Sequence, residues 1–244
     1  MSRKIYIFFI IILLSVSGFA CSGHRLAGHS IKEFFQDENV VELIEFALWH
    51  EENRVRDKVS LGVDINSIGE SGFTPLLWAI LDRDPQAVEI LLKMGANPNL
   101  YVAIPNGTNG LAPPVFVASS AGESKILTLL LEHGGNPNSV HNTISALMQT
   151  LKIPDYSCAE ILLEHGADIN YANRGSEYTA LHLALGFNDY ERAMWVLQHG
   201  YTRRMDLVQR EVKKMTSKTR IGQEPIKEKI TQFVADYLYQ HPSQ

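Results

Sequence analysis

The chain has 244 residues, 45% of them hydrophobic, with 22 basic and 27 acidic side chains and a formal net charge of −5. That length can bury a sizeable core, and the acidic balance argues against a nucleic-acid partner. Its two cysteines, Cys21 and Cys158, provide no disulfide framework unless they pair with each other.

The first twenty residues read as an export signal. Arg3 and Lys4 precede an almost unbroken apolar run over 5–16, and small residues follow. The run is shorter than the roughly 20 apolar residues that a membrane span needs. Ser17-Gly18-Phe19-Ala20-Cys21 resembles a lipobox. The resemblance implies cleavage before Cys21 and a diacylglycerol on its thiol. Gly18 and Phe19 depart from the commonest form, and cleavage after Ala20 by ordinary signal peptidase stays open. Ser22 after the cysteine favours the periplasmic face of the outer membrane, and a soluble periplasmic protein is the alternative. Without Arg3 and Lys4, 20 basic and 27 acidic residues remain, a net of −7. Residues 21–29 read as a polar tether, and Ser30 with Glu33 as a capping box opening an extra N-terminal helix.

From there one phrase recurs: "SLGVDIN" at 60–66, "LLKMGANPN" at 91–99, "LLEHGGNPN" at 130–138, "LLEHGADIN" at 162–170, and a partial "VLQHG" ending at Gly200. The glycines at 62, 95, 134, 166 and 200 are spaced 33, 39, 32 and 34 residues apart, a period that marks stacked repeats. Nineteen residues before each glycine stand Leu43, Leu76, Val115, Leu147 and Leu181. Sixteen before stand Phe46, Ala79, Ala118, Thr150 and Ala184.

The clearest copy, 72–99, predicts two helices. Thr74 caps the first with Pro75 at its first position, and the break at 82–85 ends it. The second runs over 86–94 with Val88, Leu91 and Leu92 inward. Gly95 then takes the left-handed backbone that glycine adopts cheaply. The first copy lacks the Thr-Pro cap and carries many charges, as a terminal repeat should. The third has a longer lead-in at 100–114, the fourth replaces Thr-Pro by Ser145-Ala146, and the fifth stops near 204. Beyond it, Met205, Val208, Val212 and Met215 mark one amphipathic helix. Ile226, Ile230, Phe233, Val234, Tyr237 and Leu238 mark another. They read as a C-terminal cap over 205–244, or as a helix exposed for a partner.

The pattern T-P-L-x-x-A, loop, L-L, G-A-x-x-N resembles the ankyrin repeat over about 40–204. The resemblance implies an all-α ankyrin-repeat solenoid of about five helix-turn-helix units with finger loops, closed by the helical cap. Such stacks bind proteins through the fingers and the exposed positions of the first helices. Carried onto this chain, that surface comprises Glu70, Ser71 and Phe73 in the first full finger, with Leu81 and Asp82 behind. Tyr101, Ile104, Asn106 and Asn109 come from the long loop, and His141 and Asn142 from the next finger. Arg174, Glu177, Tyr178 and Phe187 belong to the fifth repeat. Each finger can equally be a solvated turn, with Phe73 packed on its neighbour.

No catalytic motif is present, whether a Gly-x-Ser-x-Gly elbow, His-Glu-x-x-His, a phosphate loop or zinc-spaced cysteines. No cofactor or metal site is expected. Of the nine histidines, His133, His165 and His199 precede the repeat glycines. His182 occupies the place that ankyrin repeats commonly give to histidine, so all four read as structural. His24 and His29 fall on the tether, and His50, His141 and His241 are scattered. Cys158 reads as a small packing residue. Taken with the leader, the pattern resembles ankyrin-repeat immunity proteins encoded beside antibacterial toxins, notably lipase effectors of type VI secretion. That implies one secreted protein partner, occluded stoichiometrically by a monomeric binder. A periplasmic scaffold for a resident envelope protein is the alternative. A host-directed effector and an enzyme fit less well.

Overall fold

A computed structural model describes residues 26, 28–100, 112–173, 178–187, 189–214 and 224–241, apart from the side chains of Ser71 and Lys214. The described residues form twelve α-helices and one two-stranded hairpin, and divide into two compact units, Met1–Gly166 and Ala167–Gln244. In the first unit the helices come as pairs: α1 (Glu38–Leu48) with α2 (Glu52–Ser60), α3 (Pro75–Leu81) with α4 (Pro85–Lys93), α5 (Pro114–Ala121) with α6 (Ser124–Glu132), and α7 (Ala146–Thr150) with α8 (Ser157–Glu164). First helices pack on first helices of the next pair, and second on second. The architecture is the expected all-α solenoid.

Local chemistry sets the helix starts. Thr74 Oγ1 accepts from Leu77 N–H at 3.1 Å, and Ser145 Oγ from Met148 N–H at 3.2 Å, so serine replaces threonine without loss of the cap. Prolines 75, 85 and 114 occupy first-turn positions where no amide is needed. Leu43, Leu76, Val115 and Leu147 are buried between neighbouring pairs. Thr150, also buried, returns its hydroxyl to Leu147 C=O at 2.7 Å and so sits in the core without an orphan polar atom.

The recurring phrase is a joint. Its five glycines all have φ between 85° and 97°. The Asp or Asn two residues on accepts the N–H of the final Asn: Asp64 from Asn66 at 2.8 Å, Asn97 from Asn99 and Asn136 from Asn138 at 2.9 Å. That Asn then crosses to the next repeat. Asn66 Oδ1 takes Asn97 N–H at 2.8 Å while Nδ2 donates to Gly95 C=O at 3.3 Å. Asn99 Oδ1 takes Asn136 N–H and Nδ2 donates to Gly134 C=O, both at 2.8 Å. Asn138 donates to Gly166 C=O at 3.2 Å. A second ladder runs where each first helix ends. His50 and Arg83, both left-handed (φ 59° and 58°), reach the residue capping the next repeat's second helix. His50 Nε2 lies 2.8 Å from Asp84 Oδ2, and Arg83 Nε lies 3.3 Å from Glu123 Oε1.

Gly135 stands where the second repeat has the buried Ala96. Here a Cβ would meet Leu130 O at 2.6 Å and Val115 Cγ2 at 2.8 Å. Gly135→Ala, which relieves backbone entropy elsewhere, is therefore expected to destabilise by about 1–3 kcal/mol through overpacking. A lower urea midpoint at unchanged slope would register this, whereas a neutral or raised midpoint would show that Val115 and the Leu130 carbonyl give way.

The N-terminal segment differs from expectation in two respects. Leu26 is buried and exchanges backbone bonds with His29 at 3.1 and 2.9 Å, so docking begins inside the stretch read as tether. The capping box closes, Ser30 N–H and Oγ–H reaching Glu33 Oε1 at 2.9 and 3.2 Å. It opens a single 3₁₀ turn, Ile31–Glu33, instead of a helix. The reason is that Phe34 C=O accepts from Glu70 N–H at 2.6 Å, outside the segment. His29, 2.7 Å away, and then the Ser30 amide hold the Glu33 carboxyl down at about 2.

The second unit contains α9 (Ala180–Gly186), α10 (Tyr190–Gln198), α11 (Met205–Lys214) and α12 (Glu224–Gln240). Thr179 caps α9 and Asp189 caps α10. The joint here has Asn170 Oδ1 accepting from Thr202 and Arg203 N–H at 2.8 and 3.0 Å. Helix α12 packs on both α10 and α11, burying Ile230 and Val234, while Met205, Val208 and Val212 bury one face of α11. Met215 lies outside the described residues.

Candidate partner-binding surface

The first full finger, 66–73, is pinned. Gly69 N–H bonds Phe73 C=O at 2.7 Å, and a Cβ on Gly69 would strike Phe34 O at 2.5 Å and the Phe35 ring at 2.9 Å. Phe73, read either as part of the presented surface or as packed on its neighbour, is only 2% exposed, which is the second of these. Its ring lies 4.5 Å from that of Phe34 and 6.0 Å from that of Trp78, so it is a packing residue fixing the finger to segment 26–36. Glu70 remains exposed, its Oε1 accepting from Gln36 Nε2 at 3.4 Å. Ser71 is described in its backbone alone. Leu81 and Asp82, closing α3, are half-buried.

The finger before α7 is a hairpin, β1 (Val140–His141) with β2 (Ile144–Ser145), paired Val140 to Ser145 and His141 to Ile144. Asn142 and Thr143 at its tip have φ of 48° and 70°, the sign that a two-residue primed turn requires. Asn142 tolerates this and is exposed; the β-branched Thr143 does so less readily. His141 is half-buried with its ring 5.3 Å from that of Phe116, and burial lowers its pKa. Its Nε2 lies 2.9 Å from the Asn142 amide nitrogen, a donor, so the neutral ring accepts there. These two residues are hydrogen-bonded to each other at the tip of the hairpin.

In the second unit Tyr178 and Phe187 are 38% and 57% exposed, flanking α9, with Tyr178 C=O accepting from Asn173 N–H at 3.2 Å. Arg174 and Glu177, like Tyr101, Ile104, Asn106, Asn109 and Cys21, lie outside the described residues.

The histidines before the glycines are structural. Nδ1 of His133, His165 and His199 lies 2.7–2.9 Å from the carbonyl four residues back. His182 Nδ1 lies 2.8 Å from Thr179 Oγ1, which also meets Tyr201 Oη at 3.1 Å. Among the described residues no group of His, Cys, Asp and Glu stands where it could hold a metal ion.

Cys158 is buried, and its burial, assisted by Asp155 and Glu123, pushes the thiol from 9.0 up to about 11. Two outcomes follow. The native thiol should resist iodoacetamide at pH values where the urea-unfolded chain reacts completely. Between pH 9 and about 11 the folded protein keeps a proton that the unfolded chain has lost, so stability falls as pH rises through that window. Cys158→Ala should flatten that slope in pH-dependent urea melts.

Stacked helix pairs joined by turns, one of them a hairpin, are the architecture of a repeat solenoid. Comparison with known families points the same way. A model described as ankyrin repeats (3 copies) matches residues 115–206, and one described as ankyrin repeat matches 71–101. Both support the ankyrin-repeat family. The chain is 34% identical over 116 residues to nuclear factor NF-kappa-B p105 subunit of Gallus gallus, covering 46% of this chain and 11% of that protein. It is 30% identical over 103 residues to ankyrin repeat and SOCS box protein 6 of Homo sapiens, covering 42% and 24% respectively. To putative ankyrin repeat protein R664 of Acanthamoeba polyphaga mimivirus it is 32% identical over 107 residues, 41% of this chain and 64% of that protein. The chain thus spans only 11–24% of the length of the first two. Ankyrin repeats imply protein binding, and proteins built of them are generally non-catalytic interaction modules.

Proposed function

We propose that this is an exported ankyrin-repeat lipoprotein. In this reading Cys21 carries the lipid, and the mature chain sits, monomeric when free, on the periplasmic face of the outer membrane. Its fingers and inner helices capture one secreted antibacterial effector, of the lipase type delivered by type VI secretion, and neutralise it by covering its active-site entrance. The observation that carries the reading is the joining of an apolar leader ending in Ser-Gly-Phe-Ala-Cys to a body of ankyrin repeats. A toxin acting in the periplasm must be met there, and a tethered rigid binder does so. The hydrogen-bonded hairpin tip at His141 and Asn142 would supply a preformed contact, which lowers the ordering cost of binding. The net of −7 after the leader suits a basic patch on the effector and a salt-sensitive association rate.

The test is capture by the mature chain from the secreted proteins of its own source strain, followed by inhibition assays on what is retained. Retention of a secreted lipase, inhibited at one-to-one stoichiometry and released when Tyr101 and His141 become alanine, supports immunity. Retention of only a resident envelope protein, without toxicity when the chain is deleted, establishes the scaffold reading instead.

A further inference from the structure

The hairpin finger before α7 keeps its acid–base chemistry in one side chain. Across residues 134–151 His141 is the only ionisable group. The elements around it, α5, β2 and α7, carry none of their own. The His141 ring lies half-buried against Phe116 of α5, and burial lowers its pKa with no neighbouring charge contributing. Among the described residues the ring makes one hydrogen bond, with Asn142 Nδ2 donating to Nε2 at 2.9 Å. Because Nε2 accepts, the neutral ring carries its proton on Nδ1. The Asn142 amide makes no other hydrogen bond among the described residues. Its Oδ1 is therefore turned away from the ring, as a free acceptor on an exposed tip.

We propose that this tip is a proton-controlled contact, in which acid reverses the group that Asn142 offers to a partner. Protonation places a hydrogen on Nε2, so the nitrogen that accepted now donates, and it cannot face the Asn142 NH2. A half-turn of the amide about its last bond restores the hydrogen bond, with Oδ1 accepting from Nε2–H. The outward group changes from C=O to NH2, and the tip gains a positive charge. Nothing else has to break, since the amide is bonded to the ring alone. The inference rests on the reading of this finger as partner surface, and it narrows that reading. In the neutral state the tip takes a donor, such as a lysine or arginine of a basic patch or a main-chain N–H. In the protonated state it repels the same group, so association with a basic partner weakens in acid. The change falls below the ordinary histidine value of 6.5, because the charged ring loses solvation where it is buried.

The experiment is proton–nitrogen NMR of the isotopically labelled full chain in detergent, followed from neutral to acid pH. His141→Gln and Asn142→Ala assign the two side chains. The expected result at neutral pH is a His141 ring with its proton on Nδ1. On acidification both ring nitrogens become protonated, and the Asn142 NH2 signals shift with the same midpoint. Asn142→Asp should move that midpoint up, since a carboxylate beside the ring favours its charged form. A neutral ring with its proton on Nε2 would overturn the proposal, because the amide would then offer its oxygen to the ring in both states. So would Asn142 signals that stay still while His141 titrates. Loss of signal dispersion across α5 and α7 at the same midpoint would also overturn it, by showing that protonation unfolds the repeat instead of turning one amide. The titration is read on the free chain. Failure of the capture experiment would therefore strike the partner assignment and not the reversal of the amide.

Discussion

Trp78→Ala is expected to destabilise the first unit by about 3–5 kcal/mol, the cost of emptying a buried indole site. Trp78 is fully buried in α3, and its ring meets that of Phe34 at 5.5 Å and that of Phe73 at 6.0 Å. It is therefore the floor on which both the first finger and the N-terminal segment rest. The loss should appear as a lower urea midpoint. Hydrogen exchange should also show residues 26–36 opening at lower free energy than the rest, because their aromatic anchor has lost its partner. The comparison with Trp78→Phe is more diagnostic. Nε1 of Trp78 is buried with no acceptor among the described residues, a penalty of about 1–3 kcal/mol. Phenylalanine removes that orphan donor while leaving a smaller void, so it should cost less than half of what alanine does. Equal losses would mean that the indole N–H finds an acceptor, and the account of this cluster would fail.

The same cluster shows what was legible in the sequence and what was not. Features set by neighbouring residues were readable: Thr74 as a cap with Pro75 after it, Ser145-Ala146 in the same place of a later repeat, the left-handed glycine, and the histidines before the repeat glycines. Each depends on chemistry within one turn of chain. The docking of 26–36 on 69–73 joins segments about 35 positions apart, and "EFFQD" carries no periodicity to announce it. Phe73 therefore stayed divided between an exposed finger and a packed neighbour, because the N-terminal segment that covers it could not be placed from the sequence. The hairpin at 140–145 was hidden for another reason. Its turn is Asn-Thr, and a β-branched residue in the left-handed region is an unfavourable choice that composition does not suggest. His50 seemed scattered because its partner, Asp84, is one repeat away. The final Asn of each phrase was in plain sight as a mark of register; its role as a bond to the next repeat depends on stacking, which no single copy contains.

That bond sets the second large effect. Asn99→Ala removes both hydrogen bonds of one joint at once, those to Asn136 N–H and Gly134 C=O, each 2.8 Å long. At about 1–1.5 kcal/mol apiece the loss should reach roughly 2–3 kcal/mol, with partial exposure keeping it near the lower end. Asn170→Ala should cost at least as much, because Asn170 Oδ1 accepts two amides, Thr202 and Arg203 N–H at 2.8 and 3.0 Å, beside a longer bond of 3.5 Å to Gly200 C=O. Asn99→Asp should fare no better than alanine, since it keeps the acceptor for Asn136 N–H but turns a carboxylate oxygen toward the Gly134 carbonyl. In a solenoid the joint is an interface term between neighbours, and weakening it reduces cooperativity as well as stability. The urea transition of Asn99→Ala should therefore broaden, and Asn136 N–H should exchange faster than amides buried inside α6. A sharp transition with an unshifted midpoint would show that apolar contacts alone hold consecutive repeats together, and that the asparagines merely fit the turn they occupy.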